Sequence, residues 1–178
     1  SVSFGGIGLT DIDSGTGNLT VTMAVAQGTL IAPPAAGIAI SGSPGVSVLL
    51  TGTATTLTAY LATPNIGYMP VANFSGNLNL IVSASDGGNS GSGGARTDTE
   101  TSTLQVAAVN DAPVSVITPA TYAATEQTSL TLKNTGLSIS DADASSGSMT
   151  VTLSVGQGTL NVTAGGSGAV VTNSGTSS

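Results

Sequence analysis

The residues of this sequence that could do chemistry are its few carboxylates, and most of them stand where strands are expected to begin or end. Asp11 and Asp13 lie in a turn ahead of an apolar strand, and Asp141 and Asp143 repeat that placement 130 residues later. Carboxylates held in adjacent turns repel each other unless a cation neutralises them, and Ca²⁺ prefers oxygen ligands of this kind. The two Asp-x-Asp turns therefore predict calcium binding, with capping of the turns by Asx hydrogen bonds as the alternative.

Further oxygen-bearing side chains stand at the ends of the other predicted strands: Asp86, Asp98, Glu100, Asn110, Asp111 and Glu126. Asn110 and Asp111 interrupt the apolar run STLQVAAV just ahead of Pro113. Because proline has a fixed φ and no backbone donor, it suits a chain that leaves one sheet and enters another. We therefore expect a domain boundary here.

Composition excludes several classes of site. The 178 residues include no Cys and no His, so zinc, haem and thiol chemistry lose their usual ligands, and so do Ser-His nucleophile pairs. Arg96 and Lys133 are the only basic residues and cannot form a nucleic-acid-binding surface. No apolar run approaches the ~20 residues of a membrane span.

One acidic pair could in principle serve catalysis. Asp98 and Glu100 are two apart on a predicted strand, so they share a face and could mimic the two carboxylates of a glycosidase. The sequence near them offers no aromatic platform for a sugar. We therefore predict that the protein is not an enzyme, and that these acids are solvated or are secondary calcium ligands.

The chain contains an internal repeat. The twenty residues from Asp11 to Leu30 match those from Asp141 to Leu160 at eleven positions without a gap, and residues 1–9 match residues 129–137 after a two-residue shift. The repeating unit is thus about 130 residues long. The chain carries one full period and the first third of the next, and we expect it to be an excised or processed piece.

Alternating apolar runs bounded by Gly, Asn, Asp, Ser or Pro predict strands at residues 19–25, 46–50, 78–85, 102–109, 129–132 and 149–155. Residues 55–62 could form one short helical turn. Many short strands without interleaved helices predict an all-β protein built from antiparallel β-sandwiches. We expect residues 1–111 to form one module, and residues 112–178 to supply a linker and the first strands of a second, incomplete module.

Three sequence motifs together resemble a known family. ASDGG at residues 84–88 followed by AVNDAP at residues 108–113 is similar to the cadherin pattern of Ala-x-Asp-x-Gly and an Asn-Asp linker. With SDADA at residues 140–144, the chain resembles the tandem cadherin-like (VCBS-type), Ig-like repeats of large bacterial surface adhesins. The resemblance covers essentially the whole chain.

The resemblance implies that calcium bridges the base of one module and the top of the next. The implied ligands are Asp11, Asp13, Asp86, Asn110, Asp111, Asp141 and Asp143, with Asp98, Glu100 and Glu126 as secondary candidates. Residues 61–77 contain no acid, so the carboxylate that animal cadherins carry at the base of the module has no counterpart here.

The function implied is that of a structural repeat in an extracellular, calcium-stiffened adhesin stalk at a bacterial cell surface or in a biofilm. Its partners would be neighbouring repeats of the same chain or identical subunits. The alternative is a subunit of a secreted filament, in which strands from a neighbouring chain complete the partial module and the chains polymerise head to tail.

Overall fold

The computed structural model describes residues 2–4, 7–11, 15–88 and 94–175, and it is mostly antiparallel β-sheet with one short helix. The chain divides into two compact units, residues 1–110 (unit 1) and residues 111–178 (unit 2). None of the described helices is long and apolar enough to cross a membrane. The elements of unit 1 are β1 (Val2–Phe4), β2 (Asn18–Val25), β3 (Thr29–Ile31), β4 (Ile38–Ser41), β5 (Ser47–Thr53), α1 (Ala54–Leu61), β6 (Ile66–Met69), β7 (Gly76–Ser85) and β8 (Thr97–Val106).

The described residues of unit 1 form two sheets. The larger has the strand order β4-β5-β2-β7-β8, and the smaller has the order β1-β6-β3. All strand pairs are antiparallel, and β7 and β8 form a hairpin in which Gly76 lies opposite Val106 and Ser85 lies opposite Thr97. The predicted strands at residues 19–25, 46–50 and 78–85 are confirmed. The strand predicted at residues 102–109 is present as β8, which begins five residues earlier than expected and ends at Val106.

The central strand β2 shows why the alternating pattern makes a strand here. Its apolar residues Leu19, Val21, Met23 and Val25 are buried, while the threonines between them are half-buried on the other face. They share one core cluster with buried residues of β5, β7 and β8, of α1, and of β3 and β6 in the smaller sheet. The two sheets of unit 1 therefore share a single hydrophobic core.

The short helix completes this core at one end. Thr53 caps α1, because its Oγ1 accepts a hydrogen bond from Thr56 N at 3.3 Å. The helix buries Leu57, Tyr60 and Leu61, and the Tyr60 hydroxyl donates to the Pro33 carbonyl at 2.7 Å. The short helical turn expected at residues 55–62 is thus present as an eight-residue helix, which begins one residue earlier, at Ala54.

In residues 111–175, the described part of unit 2, one strand pair is present, β9 (Val114–Ile117) with β10 (Leu137–Ser140). The strands predicted at residues 129–132 and 149–155 are wrong, because the structure assigns no strand to either segment. The repeat explains both errors. Residues 129–132 correspond to the region of β1, which pairs with β6, and residues 149–155 correspond to β2, which pairs with β5 and β7.

Burial differs accordingly between equivalent residues. Met23 is fully buried between β5 and β7, whereas its counterpart Leu153 is 48% exposed. Val21 is 1% exposed, whereas its counterpart Val151 is 53% exposed. In the described part of unit 2, no strands flank residues 149–155 as β5 and β7 flank β2. The same sequence pattern therefore forms a strand only where neighbouring strands accept its hydrogen bonds and cover its apolar face.

Local structure of the repeat nevertheless persists in unit 2. In unit 1, Ala32 N donates to Ser43 Oγ at 2.8 Å, and the same hydroxyl donates to the Ala32 carbonyl at 3.1 Å. In unit 2, Val162 N donates to Ser174 Oγ at 2.8 Å, and that hydroxyl donates to the Val162 carbonyl at 2.9 Å. Val162 lies 130 residues after Ala32, so this serine clamp is a repeated feature that needs no completed sheet.

The equivalent core positions provide a matched test. We expect Met23→Ala to lower the free energy of unfolding by about 2–5 kcal/mol, because it leaves a cavity in a packed core. Leu153→Ala should change it by less than about 0.5 kcal/mol, because the side chain is already exposed. Urea unfolding of the two variants and the parent measures both. Equal losses would show that residues 149–155 are packed as β2 is.

Candidate metal centre

The turn at Asp141 is built on hydrogen bonds from the backbone to a carboxylate. Asp141 Oδ1 accepts from Asp143 N at 2.8 Å and from Ala144 N at 2.9 Å, which is the geometry of an Asx turn. Asp141 Oδ2 takes no part in these two bonds. The turn thus uses one oxygen of this half-buried side chain.

The first residue of unit 2 contacts the same turn. Asp111 N donates a hydrogen bond to Asp143 Oδ2. This bond joins a backbone amide to a charged carboxylate, so it is a charge-assisted hydrogen bond. It connects the segment that enters unit 2 to the Asp-x-Asp turn. Hydrogen bonds thus connect three of the predicted ligands, Asp111, Asp141 and Asp143.

Asp86 has a related role in unit 1, where it closes the loop between β7 and β8. Asp86 Oδ1 accepts from Arg96 N at 2.7 Å and from Gly88 N at 2.9 Å, and Asp86 N donates to the Arg96 carbonyl at 3.2 Å. The hydrogen bonds from the Arg96 and Gly88 amides lower the pKa of Asp86 below its ordinary value. The carboxylate of Asp86 thus stabilises the end of the β7–β8 hairpin.

Asp98 and Glu100 lie on β8, opposite Ala84 and Val82 of β7. They share the face of β8 that carries the buried Leu104, yet both are exposed. Charged residues that point inward on an edge strand discourage pairing with other chains. The position of Asp98 and Glu100 on β8 fits this role.

The remaining predicted ligands are spread over the chain. Asp11 is half-buried before β2, Asn110 is exposed at the end of unit 1, and Glu126 is exposed in a turn of unit 2. Asp13 lies outside the described residues. Within the described residues, no group of three or more acidic side chains is gathered closely enough to hold a metal ion. A cation at the Asp141 turn would therefore need further oxygens from the backbone or from water.

Sequence reasoning missed a groove in unit 1. It lies between residues 7–10 and the inner faces of β2, β7 and β8, and its volume is about 480 Å³. Its apolar wall includes the half-buried Val82 and Ala84, and Asp98 and Glu100 contribute two carboxylates. Periodicity gives no signal for a groove, because a groove depends on how segments distant in sequence pack together.

Comparison of the chain with protein families, with characterised proteins and with solved structures found no match. The arrangement itself must therefore support any assignment of function. It provides carboxylates, those of Asp86, Asp141 and Asp143, that accept hydrogen bonds from backbone amides.

The lowered pKa of Asp86 predicts a pH dependence. The ionised Asp86 carboxylate stabilises the folded state at pH values above its pKa in the unfolded chain, about 3.9. This stabilisation is lost as the pH falls through the lower pKa that Asp86 has in the folded state. We expect Asp86→Asn to remove this part of the pH dependence, because the amide oxygen can still accept both backbone bonds but does not titrate. Urea midpoints of parent and variant from about pH 6 to about pH 2.5 test this. Identical slopes for the two proteins would contradict the role of Asp86.

Proposed function

We propose that the chain is a tandem Ig-like repeat module of an extracellular, calcium-stiffened adhesin stalk that serves cell-surface or biofilm adhesion. The observation that carries the proposal is the repeated Asp-x-Asp motif, whose second copy forms a turn that is hydrogen-bonded to Asp111 where the chain enters unit 2. A calcium ion at this turn would bind the entry segment and the module it enters. Its role is structural, without catalysis.

The strand order of unit 1 supports an Ig-like sandwich in part. The order β4-β5-β2 corresponds to strands D-E-B of an immunoglobulin domain, and the pair β3–β6 corresponds to C-F. The unit departs from that plan at both ends, since β1 lies beside β6 and β7 lies beside β2. We propose that unit 1 is a variant of the sandwich in which the last hairpin extends the larger sheet.

The chemistry of the turn fits a hard cation. Asp141 Oδ1 and Asp143 Oδ2 already accept backbone amides, so Asp141 Oδ2 and Asp143 Oδ1 are the oxygens left for an ion. Calcium takes 6–8 oxygens, which carboxylates, backbone carbonyls and waters together can supply. Bound calcium would offset the repulsion between Asp141 and Asp143, and the segment at Asp111, which is hydrogen-bonded to this turn, would become stiffer.

Calcium titration of asparagine variants tests the proposal. Asp141→Asn combined with Asp143→Asn keeps an acceptor for the backbone amides but removes both charges. We expect this double variant to lose at least about tenfold in calcium affinity by isothermal titration calorimetry, because hard cations need charged ligands. For the parent, binding at a hundredfold excess over Kd should stabilise the folded state by about 2.7 kcal/mol.

Asp98→Asn combined with Glu100→Gln is the control of equal charge change, and it should bind calcium as the parent does. Small-angle scattering should show a longer maximum dimension in calcium than in chelator for the parent and the control only. If calcium gives the parent neither heat nor a change in dimension, the Asp-x-Asp turns are capped turns, and the calcium proposal fails.

The second candidate is a filament subunit completed by strands from an identical chain. The observation that favours it is the exposed apolar face of residues 149–155, formed by Met149, Val151 and Leu153. Their counterparts in unit 1 lie between two strands, so a neighbouring chain could complete the sheet by adding strands. Localisation outside the cell is common to both candidates.

Paired variants on the two faces of this segment test the filament candidate. Val151→Asp combined with Leu153→Asp should abolish any concentration-dependent association, because it places charge where a sheet must be covered. Thr150→Asp combined with Thr152→Asp changes charge equally on the other face and should preserve association. Sedimentation velocity over a range of protein concentrations measures this. A parent chain that stays monomeric throughout contradicts the filament candidate.

A further inference from the structure

Three Asn-x-Ser/Thr triplets occur in the sequence, and they begin at Asn18, Asn73 and Asn161. This triplet is the acceptor motif for N-linked sugars. All three asparagines are exposed, so exposure alone does not distinguish them. A transferring enzyme must also reach the hydroxyl two residues after the asparagine and the backbone between them. The structure around each triplet therefore decides which one can accept a sugar in the folded chain.

The triplet at Asn18 lies within the central strand of the larger sheet. Asn18 begins β2 and lies opposite Thr53 of β5. Thr20 lies opposite Thr51 on one side and Ser85 on the other, and its side chain is half-buried. An enzyme would have to separate β2 from its neighbours to bind this triplet. The fold therefore protects Asn18 from modification.

The triplet at Asn161 is held by hydrogen bonds to its backbone. Its middle residue belongs to the serine clamp, in which Val162 N donates to Ser174 Oγ at 2.8 Å. Directly before the triplet, the Leu160 carbonyl accepts from Gly175 N at 3.0 Å. A Cβ at Gly175 would lie 3.3 Å from Asn161 Oδ1, so this segment also lies against the asparagine side chain. Asn161 is therefore a poor acceptor in the folded chain.

The triplet at Asn73 lies in an exposed turn between β6 and β7. Phe74 N donates to the Val71 carbonyl at 3.3 Å, so Asn73 is the third residue of a four-residue turn. Its φ is +61°, in the left-handed region that asparagine adopts in turns. The half-buried Phe74 packs against the core, whereas Asn73 and Ser75 on either side of it are exposed. The phenylalanine thus holds the turn in place and leaves the acceptor amide and the hydroxyl accessible.

The surface beside this turn is apolar and has few charges near it in the sequence. Met69 is 52% exposed and Val71 is 46% exposed. Residues 14–85 contain no charged side chain, although charged side chains are what usually keep a protein surface hydrated. A sugar is bulky and strongly hydrated, so it can cover apolar atoms without adding charge. A sugar on Asn73 would therefore supply the hydration that the sequence lacks here.

We propose that Asn73 is an acceptor site for an N-linked sugar that covers the apolar surface at Met69 and Val71. The donor is a sugar activated at C1 by a diphosphate, which is carried by a nucleoside or by a lipid. Asn73 Nδ2 forms a bond to C1, the bond from C1 to the diphosphate oxygen breaks, and the diphosphate leaves with its electron pair. The amide nitrogen loses one proton to solvent. The inference shares with the proposed function only the location outside the cell, and it does not depend on calcium.

Sugar transfer to the folded full chain tests the site. One reaction contains a soluble N-glycosyltransferase with a nucleoside-diphosphate hexose, and a second contains an oligosaccharyltransferase with a lipid-diphosphate oligosaccharide. Mass spectrometry of proteolytic fragments locates the sugar. We expect Asn73 to be modified at least about tenfold faster than Asn18 or Asn161, because those two triplets become accessible only by local unfolding. A peptide of residues 69–79 serves as the control for enzyme activity.

Variants of the hydroxyl residue control the motif. Ser75→Ala should abolish modification of Asn73 and leave the melting temperature unchanged, because Ser75 is exposed. Ser75→Thr keeps the motif and should retain modification. Thr163→Ala is the matched control, because it removes the hydroxyl of the triplet at Asn161 and should leave Asn73 modified as in the parent.

Methionine oxidation tests the covering role. Met69 is 52% exposed beside the turn, and Met149 of unit 2 is 43% exposed and serves as the internal reference. An oligosaccharide on Asn73 should slow oxidation of Met69 relative to Met149 by at least about twofold, because susceptibility follows exposure. An unchanged ratio of the two rates would overturn the covering role.

The acceptor site itself is overturned if both enzymes modify the peptide but neither modifies Asn73 in the folded chain. It is also overturned if Asn18 or Asn161 accepts the sugar as fast as Asn73 does. Modification of Asn73 in either reaction supports the site and identifies the carrier of the activated sugar. Because the reactions are scored on Asn73 and not on calcium, each of these results leaves the calcium proposal to its own titration.

Discussion

Hydrogen bonding of β2 on both edges is the constraint on which unit 1 depends. The strand lies at the centre of the larger sheet, with Val21 opposite Leu50 of β5 on one side and Ala84 of β7 on the other. Its four apolar side chains then have cover from the smaller sheet and from α1 in the same core. Neighbouring strands satisfy its backbone groups, so the apolar face can be buried without loss of hydrogen bonds.

The acidic turns obey a second constraint, which is competition for carboxylate oxygens. A carboxylate has two oxygens, and at Asp141 and Asp86 one of them accepts two backbone amides. Those bonds hold the turn in shape without any ion, and they already favour the charged form of the side chain. Calcium binding at Asp141 and Asp143 would therefore act on a preformed turn. It would add order to the segment around Asp111 without being needed to fold the turn.

Sequence alone correctly predicted strands where an alternating apolar pattern also has neighbouring strands to pair with. The alternation in residues 19–25 and 78–85 predicted β2 and β7. The prediction was correct because both segments have a neighbouring strand on each side in the larger sheet. The identical reasoning failed at residues 149–155, because alternation specifies which face is apolar but says nothing about whether other strands cover it. The pairing of β9 with β10 was not predicted either, since nineteen residues separate the two strands.

For the candidate site, sequence predicted the Asp-x-Asp turn but not its hydrogen bonds. The bond from Asp111 N to Asp143 joins residues 32 positions apart, and no local pattern encodes it. Asp98 and Glu100 were predicted to share a face, and they do, but only the strand order shows that β8 is an edge strand. The groove was missed because it is a property of packing between segments that are distant in sequence.

The central claim is that neighbouring strands, and not the repeated sequence, decide which copy becomes a strand. Amide hydrogen exchange of the full chain measures this most directly, because β2 and residues 149–155 are compared in one sample. We expect slow exchange for the amides of residues 19–25 and exchange close to that of an unstructured peptide for residues 149–155. Equal protection of the two segments would contradict the claim.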